Sequence, residues 1–166
     1  MDILNIVIGN ICSLLAMVTD SVSATQKTVS RVLWVQTASQ LIYGIGAVIL
    51  RGYSAAVQNA VSIIRNLTAI KKVQNKAIEW GLVVLGVILG LCFNNLGWMG
   101  LLPVIANLQY TVAIFRFQNN DKALKISFLI SALMFTCFSF VIYNFVGVFT
   151  NFVVAVTTLI SLFKRY

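Results

Sequence analysis

Polar residues in this 166-residue chain gather in a few short stretches, and seven apolar segments run between them. The pattern predicts segments over residues 3–20, 32–50, 53–71, 78–96, 98–116, 123–143 and 146–164. Each is close to the roughly 20 residues that an α-helix needs to cross a hydrocarbon core. Barrel strands would be shorter and would alternate in polarity, which these do not. The second and third segments are joined by Arg51-Gly52, and the sixth and seventh by Tyr143-Asn144. Links this short force antiparallel neighbours. The longer polar loops, around 21–31 and 117–122, lie at matching places in the two halves.

The halves match more widely. Residues 8–72 slide onto 100–164 without a gap, placing Asn59 on Asn151, Gln26 on Gln118, Thr19 on Thr111, Ser39 on Ser131 and Lys72 on Lys164. Identity is low, so the echo lies in hydropathy, loop charge and the paired asparagines. One segment stands between the two triplets, which keeps both in the same orientation. The fold expected is an all-α polytopic membrane protein, with seven transmembrane helices in a 3–1–3 arrangement. Residues 1–72 form the first three-helix bundle, 73–97 the linker helix and 98–166 the second, parallel bundle.

Composition sharpens this picture. The chain is 60% hydrophobic and 10% charged, against about 25% charged for a soluble domain. The net charge of +8 could suggest nucleic acid, but its placement argues for topology. Lys27, Arg31, Lys71, Lys72, Lys76, Arg116, Lys122, Lys125, Lys164 and Arg165 fall on one side, with Arg65 able to snorkel to it, and only Arg51 on the other. Basic residues collect on the cytoplasmic side, so the N-terminus is expected outside and the C-terminus inside. Met1-Asp2-Ile3-Leu4 lacks a basic leader region, and the first segment is read as a retained helix. Cys12, Cys92 and Cys137 are scattered packing residues, and the chain has no histidine. No metal or cofactor is expected, and no enzyme, since paired carboxylates and an activated nucleophile are both missing. The expected partners are membrane lipid and a small-molecule solute, without nucleic acid; a homo-oligomer is left open.

The candidate chemistry is polar and deep. Asn59 and Asn151 sit at equivalent mid-segment places and can aim two amides at one axial cavity. Gln36, Gln40 and Tyr43, at i, i+4 and i+7, share one helix face, and Asn107 and Tyr110 repeat the idea in the fifth segment. Amides beside aromatic rings suit a neutral solute with hydrogen-bonding groups and a flat face. Ser127 and Ser131 are expected to bond their own helix backbone. Trp34, Trp80 and Trp98 are expected at the membrane interface. Gly86 and Gly90 should pack the linker helix onto a triplet. The acids Asp2, Asp20, Glu79 and Asp121 all fall near predicted ends or loops. Without a deep ionisable group, facilitated diffusion is favoured over proton coupling.

The 3–1–3 pattern resembles the SWEET, PQ-loop and PnuC superfamily of small transporters. Leu101-Leu102-Pro103-Val104-Ile105 and the Ala55–Arg65 stretch around Asn59 resemble more closely the YgjV family of bacterial inner-membrane proteins. The resemblance implies a multi-pass protein of the cytoplasmic membrane and a carrier role. SWEET-type carriers bind solute through an asparagine on the third helix of each triplet, and Asn59 and Asn151 match those places. Their hinges are prolines, of which only Pro103 is present here, with Ile11 at its equivalent. The expected function is therefore a facilitator-type carrier of a small polar, neutral metabolite, working by alternating access. The alternative is a non-transporting scaffold or partner subunit.

Overall fold

The computed structural model describes residues 2–23, 26, 29–71, 75–116 and 121–163. Among them it is all-helical: α1 (Ile3–Ser23), α2 (Val29–Ile49), α3 (Tyr53–Ile70), α4 (Lys76–Cys92), α5 (Leu102–Arg116), α6 (Asp121–Val141) and α7 (Phe145–Phe163). A 3-10 turn, Met99–Leu101, leads into α5. By length and composition alone, Ile3–Val22 is long and apolar enough to span a membrane. Leu33–Ile49, Met99–Ala113, Lys125–Val141 and Phe145–Ile160 are shorter apolar stretches.

The segments predicted over 78–96 and 98–116 overrun the structure at their junction. Helix α4 stops at Cys92 because the next residues have a better local partner. Asn94 Nδ2 donates to the Gly97 carbonyl at 2.8 Å, and Asn94 Oδ1 accepts from the Leu96 amide at 3.1 Å. Such an asparagine turn competes directly with the helix ladder. Gly97, at φ +56, supplies the left-handed residue that the turn needs. Pro103 follows in the first turn of α5, where a missing N–H breaks no helix bond.

The α2–α3 and α6–α7 links are one structure built twice. Arg51 (φ 57) and Tyr143 (φ 59) take the left-handed conformation at equivalent places. The Gly52 amide reaches the Ala47 carbonyl at 2.8 Å, and the Asn144 amide the Ser139 carbonyl at 2.9 Å. The Arg51 amide reaches Val48 and the Tyr143 amide reaches Phe140. This is the Schellman pattern, which satisfies carbonyls left open at a helix end. Asn144 also caps α7 by accepting from the Gly147 amide at 2.9 Å.

Packing follows sequence order and then closes on itself. Helix α1 lies on α2 and α2 on α3, while α5 lies on α6 and α6 on α7. Helix α3 also meets α5, and α7 meets α1, so these six helices form a circuit with α4 against α3 and α5. The end holding the two tight turns, here the turn end, is plugged. Phe138, 1% exposed, packs with Ile142, Leu50, Ala47 and Ala55, and its ring abuts Gly52. Elsewhere the helix contacts use small or polar residues such as Ala16, Ser39, Ala106, Ala132 and Ala155, while Leu, Ile, Val and Phe dominate the outward faces. Small residues let helix backbones approach closely where apolar burial does not drive association.

Candidate functional site

Helix α3 buries a polar stripe. Ser54, Gln58, Ser62 and Asn66, each four residues apart, are all buried, since this spacing places them on one face. Gln58 is its junction. Its Nε2 donates to the Gly86 carbonyl of α4 at 2.8 Å, and its Oε1 accepts from Asn107 Nδ2 of α5 at 2.7 Å. One side chain thus ties three helices. The close approach depends on Gly86 and Gly90: a Cβ on Gly90 would stand 2.7 Å from Gln58 Nε2 and 2.6 Å from Val104. These glycines pack α4 onto α3 and α5, as their spacing suggested.

Farther from the turn end, Arg65 of α3 interacts electrostatically with Tyr110 of α5. The Tyr110 ring lies 5.5 Å from Phe128, tilted at 45°. Asn107 and Tyr110 therefore face α3 and α6, but Asn107 is already engaged by Gln58.

The paired asparagines differ. Asn151 Nδ2 donates to the Gly147 carbonyl of its own helix at 2.9 Å. Asn59 is half-buried beside α2, its Cβ 3.6 Å from where a Gly44 Cβ would sit, and its amide has no hydrogen bond among the described residues. No hydrogen bond joins it to Asn151. The side-chain amides of Gln36 and Gln40 on α2 are likewise half-buried and unbonded among the described residues. Tyr43 lies on the α1 side of α2, near enough to Asp20 to feel its charge.

One expectation is corrected and one is extended. Ser127 and Ser131 do not bond their own helix; they hold Gln109 of α5. Ser127 Oγ donates to Gln109 Oε1 at 2.6 Å, Gln109 Nε2 donates to the Ser127 carbonyl at 2.9 Å and to Ser131 Oγ, and Ser131 Oγ reaches the Ala106 carbonyl at 3.0 Å. A cross-helix amide outcompetes the local carbonyl because α5 brings it within reach. The second concerns Asp20. It stays within a turn of the end of α1, as expected, but it is not left to the loop: Ser39, at the middle of α2, donates to its Oδ1 at 3.1 Å.

Sequence reasoning missed Gln58 and Gln109, and the spacing of Ser54, Gln58, Ser62 and Asn66 could have found the first. It also missed Asn10 and Asn95, which hold the two tight turns at the turn end. Asn10 Nδ2 donates to the Tyr143 carbonyl at 2.8 Å and its Oδ1 accepts from the Val146 amide at 3.0 Å. Asn95 Nδ2 donates to the Arg51 carbonyl at 2.8 Å. Each tight turn is thus held by an asparagine remote along the chain, the Tyr143 turn from α1 and the Arg51 turn from the segment after α4.

Residues 7–166 match the model of a family described as Imp-YgjV, bacterial inner membrane protein. No curated protein and no solved structure matches the chain.

Proposed function

The chain belongs to the Imp-YgjV family of bacterial inner membrane proteins, and on that premise we propose that it is a carrier for a small polar solute, working by alternating access. The observation that carries this reading is the set of half-buried amides on α2 and α3 that have no hydrogen bond among the described residues: Gln36, Gln40 and Asn59. An amide in hydrocarbon without a partner costs several kcal/mol by the usual range of about 2–7. Such groups persist where they face water or a polar ligand. Tyr43 and Tyr110 are the flat surfaces of the candidate set, and Asn151 retains a free acceptor oxygen among the described residues.

In this reading the helices cross the membrane seven times, as two parallel triplets, α1–α3 and α5–α7, with α4 as linker. The bond-for-bond agreement of the turns at Arg51 and Tyr143 supports it. The N-terminus lies outside and the C-terminus in the cytoplasm, which places the turn end outside. The plug around Phe138 then closes the outer mouth. Pro103, in the first turn of α5, sits at the root of the second triplet, where pivoting of that helix would begin. No enzyme activity is assigned.

The rival reading is a non-transporting scaffold or partner subunit. It draws on Asn107, which is spent on joining helices. Counterflow in proteoliposomes separates the two, with a panel of sugars, nucleosides, vitamins and amino acids. The carrier reading expects one solute class to exchange, with at least a tenfold loss in folded Asn59→Ala. Exchange of no solute by folded wild-type protein would favour the scaffold.

A further inference from the structure

Helix α1 is displaced along α2 toward the turn end. Gly9 lies against Leu50, Cys12 against Gly46 and Asp20 against Ser39. This register sets a carboxyl beside the midpoint of α2 (Val29–Ile49), although α1 ends only a turn later. The Ser39 hydroxyl has two acceptors in reach, Asp20 Oδ1 at 3.1 Å and the Gln36 carbonyl at 2.9 Å. It holds one proton, and this makes the pair suited to two states. With Asp20 ionised, Ser39 donates to the carboxylate. With Asp20 protonated, the carboxyl can donate to Ser39 Oγ, and Ser39 turns its own proton to Gln36. In both states the Ser39 proton has an acceptor.

The surroundings of this carboxyl carry little compensating charge. Helix α1 packs on α2 and α7. From α2 the ionisable groups are Tyr43, which feels the Asp20 charge, and Arg31, two turns from Ser39 toward the opposite end. Helix α7, Phe145–Phe163, has none. Among the described residues no lysine or arginine pairs with Asp20. A carboxylate set between helices of a membrane protein, with no cation partner among the described residues, is costly and marks ion or proton pathways.

We propose that Asp20 is a proton-binding site that couples solute movement to proton movement; this rests on the carrier reading. The carboxylate takes a proton from one aqueous phase, forming only an O–H bond, crosses the transport cycle as the neutral acid, and releases the proton to the other phase. Val112 stands at the equivalent place in the second half, so the duplicated fold holds this group once, and one proton accompanies each cycle.

Two measurements on the reconstituted full chain test this. Infrared difference spectroscopy across a pH titration reads the carbonyl band of a protonated carboxyl. Wild type should show a band that Asp20→Asn lacks. Ser39→Ala, which keeps the carboxyl and removes its partner, should keep the band with a displaced midpoint. Spectra of wild type and Asp20→Asn that superimpose overturn the site. The second measurement follows an internal pH dye in sealed proteoliposomes, held at fixed potential with potassium and valinomycin, during net entry of the same solutes down an imposed inward gradient. Solute-driven proton entry in wild type, absent in Asp20→Asn while counterflow exchange continues, supports coupling. Net solute entry without proton movement in wild type overturns coupling and leaves the carrier standing. Neither entry nor exchange of any solute overturns both.

Discussion

Asn59 and Asn151 match across the repeat, yet neither is used to hold helices together. Asn151 bonds its own backbone and Asn59 bonds nothing among the described residues. Gln58, one position away, is the structural amide, with bonds to α4 and α5. Stability should divide accordingly. Interhelical hydrogen bonds in membranes contribute about 0.6 kcal/mol on average and up to about 1.7. Gln58→Leu, which loses two, should destabilise the protein by about 1–2 kcal/mol in thermal unfolding in detergent. Asn59→Ala and Asn151→Ala should each stay within about 0.5 kcal/mol of wild type, the usual range for a side chain without a structural role. A larger loss in the two alanine variants than in Gln58→Leu would make the asparagines structural. Because Asn59 has so little structural employment, loss of flux in its variant would speak directly about solute.

At the scale of the element, α4 shows how a helix is docked by what it lacks. Gly90 faces Val104 and Gln58 at distances that no Cβ could occupy, whereas a Cβ on Gly81 would meet nothing within 4 Å. Gly90→Ala must push α4 off α3 and α5 or bend the Gln58 side chain, at the cost of about 1–3 kcal/mol typical of overpacking. Gly81→Ala gains helix propensity of up to about 1 kcal/mol and disturbs nothing. Melting curves of the two variants should therefore move in opposite directions. Equal shifts would mean that α4 does not use its glycine face for docking. The sequence displayed this face in the spacing of Gly86 and Gly90. What it could not display was the partner, because Gln58 and Val104 reach α4 from two helices that are remote along the chain.

For the whole molecule, distant parts of the chain are joined most specifically at the turn end, where Asn10 holds the turn at Tyr143, Asn95 holds the turn at Arg51 and Phe138 fills the space between. Opening the outer mouth in the proposed cycle requires these bonds to break. Asn10→Ala with Asn95→Ala should raise amide hydrogen exchange at 50–53 and 142–146 by about tenfold or more, equivalent to about 1.4 kcal/mol, with little change in the middle of α6. Unchanged exchange in the turns would show that the plug alone closes this end. The sequence by itself determined the number and type of helices among the described residues and the two short turns. These follow from apolar run length and from Arg51-Gly52 and Tyr143-Asn144. It also led to the family, which the match over residues 7–166 shows. Tertiary structure alone decided which polar groups meet. A displacement of α1 along α2 by about two turns carries Asp20, near the end of its own helix, to the level of Ser39. The crossing of α3 with α5 turns Gln58 rather than Asn59 into the junction. Periodicity fixes the face a side chain occupies on its own helix; the partner across from it depends on the axial shift between helices, which is set by packing of residues far apart in the chain.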